Sequence, residues 1–90
     1  MDSYKQLVNI SKSISERIRL SHLDSLKLSL MLSYSFNGSI NELNKKLLNI
    51  INDEERFAKS EEEIITIFEN IENVQFEKLL AEYLLLEINQ

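Results

Sequence analysis

Apolar residues return every three to four positions along most of the chain, the spacing that gathers them on one face of an α-helix. Tyr4, Leu7, Ile14 and Ile18 keep that period, and Val8 and Ile10 widen the stripe. Lys5, Lys12, Glu16 and Arg19 fall on the other side, so the pattern predicts a helix from Ser3 to Arg19. Arg17 and Arg19 lie in its last turn, where cations complement the helix dipole. Ser21, with Asp24 three residues on, has the spacing of a cap for the next helix.

The stretch LKLSLMLSYSFNGS, residues 26–39, nearly alternates apolar and polar positions, as a half-buried strand does. It also fits a helix with two apolar sides. At 100° per residue Leu23, Leu26, Leu30 and Tyr34 form one stripe, and Leu28, Met31, Leu32 and Phe36 form another roughly opposite. Ser21, Ser25, Ser29 and Ser33 lie in a row between them. Leu and Met favour helix, β-branched residues are absent, and no second alternating segment offers a partner strand. The pattern therefore predicts a helix over 22–36, buried on both sides in the middle of a bundle.

Asn37-Gly38 ends that helix, with Gly38 expected in the left-handed conformation. Ser39 and Glu42 have capping-box spacing, and Ile40, Leu43, Leu47, Ile50 and Ile51 then repeat helically. Continued, that wheel would bury Glu54, so the helix is expected to stop near Asn52. Asn52 or Asp53 then caps a short extra turn through Phe57. Ser60 followed by Glu61, Glu62 and Glu63 predicts the next helix start. Ile64, Ile67, Phe68 and Ile71 form its inner face, and Glu62, Thr66, Glu69 and Asn73 its outer face. Asn73 is expected to cap a last helix from Val74 to Ile88. Phe76, Leu79, Leu80, Tyr83, Leu84 and Leu86 cover more than half its circumference, so it is central or carries an interface.

The elements together predict an all-α protein: a compact bundle of four to five antiparallel helices with short connections, folding as one domain over residues 1–90. Composition agrees. Proline is absent and Gly38 is the one glycine, which argues against an all-β domain with its many turns. The absence of cysteine excludes disulfides, thiolate metal sites and thiol nucleophiles. The segment MDSYKQLVNI lacks a basic region followed by an apolar run, so no signal peptide is expected. The least polar run, Leu28 to Phe36, is far short of the ~20 residues a spanning helix needs. A cytoplasmic protein without a membrane partner is the expectation.

Charge changes the picture more than composition does. The net charge is −5, yet residues 1–45 carry +2 and residues 46–90 carry −7. An acidic half disfavours nucleic acid and anionic membranes and favours a basic partner. Candidate chemistry is sparse. His22, the one histidine, has only Asp24 nearby, which makes neither a triad nor a zinc site. Asp53-Glu54-Glu55 and Glu61-Glu62-Glu63 offer hard oxygen donors, but consecutive acids on a helix point in different directions. There is no Gly-rich phosphate loop and no nucleophile elbow. No enzymatic activity, cofactor or metal is expected.

Residues 33–47, SYSFNGSINELNKKL, resemble the first two helices of some bacterial helix-turn-helix domains, particularly in regulators of purine-catabolism type. The informative part is NGSINEL with Leu47. The resemblance implies that a basic recognition helix follows, but the next residues, LNIINDEERF, are apolar and then acidic. Phosphate contacts need Lys and Arg.

A chain without catalytic groups is expected to act by binding. The expected role is a small acidic inhibitor of immunity-protein or antitoxin type that occludes a basic effector such as a nuclease toxin. The candidate contacts are Asp53, Glu55, Glu62, Glu63 and Glu69, with Tyr83 as an aromatic anchor. The alternatives are a homo-oligomeric structural or adaptor protein, associating through helix 22–36 or helix 74–88, and a helix-turn-helix-like nucleic-acid binder.

Overall fold

The first four helices of the protein each begin where a side chain takes up backbone donors that the first turn leaves unpaired. Asp2 does this for α1, Ser3–Arg17, accepting from the Tyr4 amide at 3.0 Å. The structure, a computed structural model, describes residues 2–18, 24–70 and 76–89. Asp24 opens α2, Ser25–Ser35, accepting from the amides of Leu26 and Lys27 at 3.0 and 3.3 Å. The cap is thus Asp24, three residues beyond the expected Ser21. Arg19, Ser21, His22 and Leu23 lie outside the described residues.

Ser39 caps α3, Ile40–Ile51, as its spacing with Glu42 predicts; Ser39 Oγ accepts from the Glu42 amide at 3.2 Å. Gly38 precedes it at φ +156°, a positive φ that side chains rarely adopt, though it does not terminate α2, whose C-cap is Phe36. A Cβ there would also fall 2.7 Å from the Phe36 ring, so conformation and close approach both favour glycine.

The fourth helix corrects the expected boundaries. Asp53 accepts from the Arg56 amide at 3.1 Å, and α4 then runs without a break over Glu54–Glu69. There is no separate turn ending at Phe57, and Ser60 is not a cap. Ser60 is buried in mid-helix, where its hydroxyl donates to the Arg56 carbonyl at 2.9 Å. Glu54 and Glu55 supply the negative charge at the positive end of the helix dipole. The last helix, α5, is Phe76–Ile88; Ile71, Asn73 and Val74 lie outside the described residues. Among the described residues every regular element is a helix, giving the all-α bundle the sequence predicts.

The bundle packs α1 against α2 and α3, α2 against α5, and α5 also against α3 and α4. Ser3 meets Asn41 and Asn44, while Arg17 meets Ile51, so α1 and α3 run side by side in the same direction. Arg56 meets Glu87 and Phe68 meets Phe76, so α4 and α5 run oppositely. One core joins all five helices, with Leu7, Ile14, Leu28, Leu32, Leu43 and Leu47 fully buried. The radius of gyration, 12.2 Å, is that of a well-packed chain of this length. The apolar surplus of α5 is largely core: Phe76, Leu80, Ala81 and Leu84 are buried and Leu86 stays outside. None of the described helices is long and apolar enough to cross a membrane.

Several polar side chains are buried in this core, Asn44 and Ser11 among them. Asn44 uses its amide nitrogen to donate to the Ser3 carbonyl at 2.9 Å, joining α3 to α1. Ser11 is fully buried and its hydroxyl has no partner among the described residues. A buried hydroxyl without a hydrogen bond is destabilising, and alanine keeps the helix without it. Ser11→Ala is therefore expected to stabilise the protein by about 1 kcal/mol, read as a higher urea midpoint at unchanged slope.

Candidate protein-binding faces

The outer side of α4 is built by its seven-residue repeat of glutamate. Glu55, Glu62 and Glu69 recur at a spacing that drifts only ~20° per step, so they form one row along ~21 Å of helix. All three are exposed. Shallow depressions flank the row on both sides. One is bounded by Glu62, Glu63, Thr66 and Ile67, the other by Ala58, Glu61, Glu62 and Ile65. Glu62 borders both. Ile67, expected on the inner face, lies at the edge of the helix and is 36% exposed. Of the two cations between Glu55 and Glu62, Arg56 turns to Glu87 of α5 and Lys59 is exposed.

The remaining candidate residues are placed less favourably for a partner. Asp53 is exposed, but one carboxylate oxygen is engaged in capping α4. Glu63 lies about a quarter-turn round from Glu62 and points toward α5. There it accepts from the Tyr83 hydroxyl at 2.6 Å. Burial, and then the hydrogen bond donated to Glu63, push the Tyr83 hydroxyl up to about 12, so it stays protonated at any physiological pH. Its ring packs against the core. Tyr83 thus joins α4 to α5, and the exposed aromatic of the protein is Tyr34, 85% accessible.

Tyr34 belongs to a second face that the sequence places in the core. Leu26, Leu30 and Tyr34 were expected to be buried on one side of a central helix. The structure buries the opposite stripe instead: Leu28 and Leu32 are inaccessible, and Met31 and Phe36 pack against the core. Leu26 and Leu30 are 56% and 44% exposed. The reason is the number of neighbours. α2 packs against α1 and α5 on one side, and none of the described helices covers the other. The alternation could not choose between the stripes because both are apolar.

The described residues bring no three acidic or histidine side chains together as a metal site. His22 lies outside them. The helix following α3, where a helix-turn-helix protein reads DNA, begins with Glu54 and Glu55. Comparison with known protein families, characterised proteins and solved structures finds no match to this chain.

Proposed function

We propose that the protein is a small acidic binding module, an inhibitor of immunity-protein or antitoxin type, that occludes a basic effector such as a nuclease toxin through the outer side of α4. The observation that carries this reading is the exposed row Glu55, Glu62 and Glu69 with a shallow depression of mixed acidic and apolar lining on each side. A basic cleft would be steered by the carboxylates, while Ile65 and Ile67 at the depressions offer apolar contact once the complex is formed. The helix supplies a rigid spacing, so little ordering is needed on binding.

The test is affinity capture from lysate of the native host with the tagged protein and with Glu62→Lys/Glu69→Lys, each read by mass spectrometry. One stoichiometric basic protein is expected, released at high salt. The double charge reversal should weaken its binding by at least roughly tenfold. Both positions are exposed, and a lysine at position 69 complements the carbonyl end of α4, so the variant is expected to fold normally. Equal capture of the same protein by the variant would show that this face is not the contact.

A further inference from the structure

Among the described residues, no side chain covers the outer side of α2. Leu26, Leu30 and Tyr34, each four residues apart, form a continuous apolar row there. The row opens on one flank into a groove of about 400 Å³ between α2 and α5, whose lining includes Lys27, Leu30, Met31, Tyr34, Lys78 and Glu82. We propose that this face is the interface of a symmetric homodimer, in which α2 packs antiparallel against α2 of a second copy with the two Leu30 side chains meeting at the two-fold axis.

Charge selects a second copy and fixes its direction. Lys27 is the only charged residue within α2, and it lies in the first turn. That is the positive end of the helix dipole, the unfavourable end for a cation. The last turn carries no basic residue of its own, although Lys78 lines the groove beside Tyr34 and Ser35. Antiparallel pairing about Leu30 improves the setting of Lys27 and adds a cation at the carbonyl end. It sets Lys27 beside the last turn of the second copy and on the same side as that copy's Tyr34. The ammonium then meets a negative helix end and an aromatic face, and symmetry makes the contact twice. Parallel pairing would instead place the two lysines together at the positive ends.

The rest of the surface agrees. Each copy carries −5, so contact between acidic faces is repulsive, and α2 is a helix with no Asp or Glu. Lys78 and Glu82 beside the groove give each copy one charge of either sign at the rim. A two-fold pair covers the whole apolar row in both copies and leaves none exposed to propagate a filament. The row and groove are small beside the ~800 Å² per partner of a standard interface, so a dissociation constant on the order of micromolar is expected.

Sedimentation equilibrium of the full chain from about 1 to about 500 μM tests this by mass action. The mass is expected to rise from the monomer's 10.6 kDa to twice that value across the range. Leu30→Glu, which brings two carboxylates to the axis, should raise the dissociation constant by about 100-fold or more. Lys27→Glu should raise it roughly tenfold, because the carboxylate now faces the second copy's negative helix end. In the monomer the same change places an acid at the positive end of α2, so helix content and melting temperature at low concentration should hold or rise. That opposite response separates a lost interface from a damaged fold. A monomer mass at every concentration overturns the proposal, as does unchanged association of either variant.

Discussion

Leu28→Ala is expected to destabilise the protein by about 3 kcal/mol, whereas Leu26→Ala, two positions earlier in the same helix, should change stability by less than about 0.5 kcal/mol. Leu28 is inaccessible to solvent and belongs to the core shared by all five helices. Removing its branched end loses the transfer free energy of the buried atoms and leaves a cavity that α1 and α5 cannot fully close. Leu26 is 56% exposed and leaves no cavity when shortened. For a domain with a total stability of about 5–10 kcal/mol the first change is a large fraction and the second is not. Urea unfolding at low protein concentration, where α2 faces water, checks both. The expected readout is a midpoint lower by roughly 2 M for Leu28→Ala at an unchanged slope, and an unmoved midpoint for Leu26→Ala. Equal losses from the two would mean that α2 is buried on both sides after all.

That pair of residues also marks where the sequence stops being legible. The helical period located all five helices because each has a cap or a stripe of its own. Ser39 and Glu42 marked the start of α3 correctly. Ser60 before three glutamates looked like a stronger signal and was wrong. Serine is as able to back-bond within a helix as to cap one, and only the continuity of Phe57, Ser60 and Ile64 on one buried face distinguishes the two roles. In α2 the helix was readable and its orientation was not, because orientation depends on how many neighbours exist. The candidate acidic residues were visible as charge, and the seven-residue spacing of Glu55, Glu62 and Glu69 was present in the sequence as a signal of one shared face. The use of Asp53 and Glu63 within the fold was not visible. Those pairings join Asp53 to a backbone amide and Glu63 to Tyr83 on another helix.

Arg17→Ala is expected to cost about 2 kcal/mol, more than any exposed ion pair of the protein should. The reason is that one side chain serves three helices. Arg17 ends α1, and its Nη1 donates to the carbonyl of Ile51, the last residue of α3, at 2.6 Å. That carbonyl is one of the four that a helix terminus leaves without an internal partner. The guanidinium also lies 3.9 Å from the centre of the Phe57 ring of α4. A flat cation can stack on the ring and donate at its edge at the same moment, which a lysine cannot, so Arg17→Lys should recover less than half of the loss. The Arg56–Glu87 pair is the contrast. Its Nε–Oε2 separation is 3.6 Å, and Arg56 keeps its bond to the Glu87 carbonyl when the carboxylate is removed, so Glu87→Gln should cost less than about 1 kcal/mol. The share owed to the ring is read from a double-mutant cycle with Phe57→Leu. A coupling of about 0.5–1 kcal/mol is expected, because leucine keeps the apolar volume and removes the π face. Zero coupling would leave the carbonyl as the whole of the effect. A loss below about 0.5 kcal/mol for Arg17→Ala would show that water supplies what the arginine does, and that α1, α3 and α4 are held together by their leucines alone.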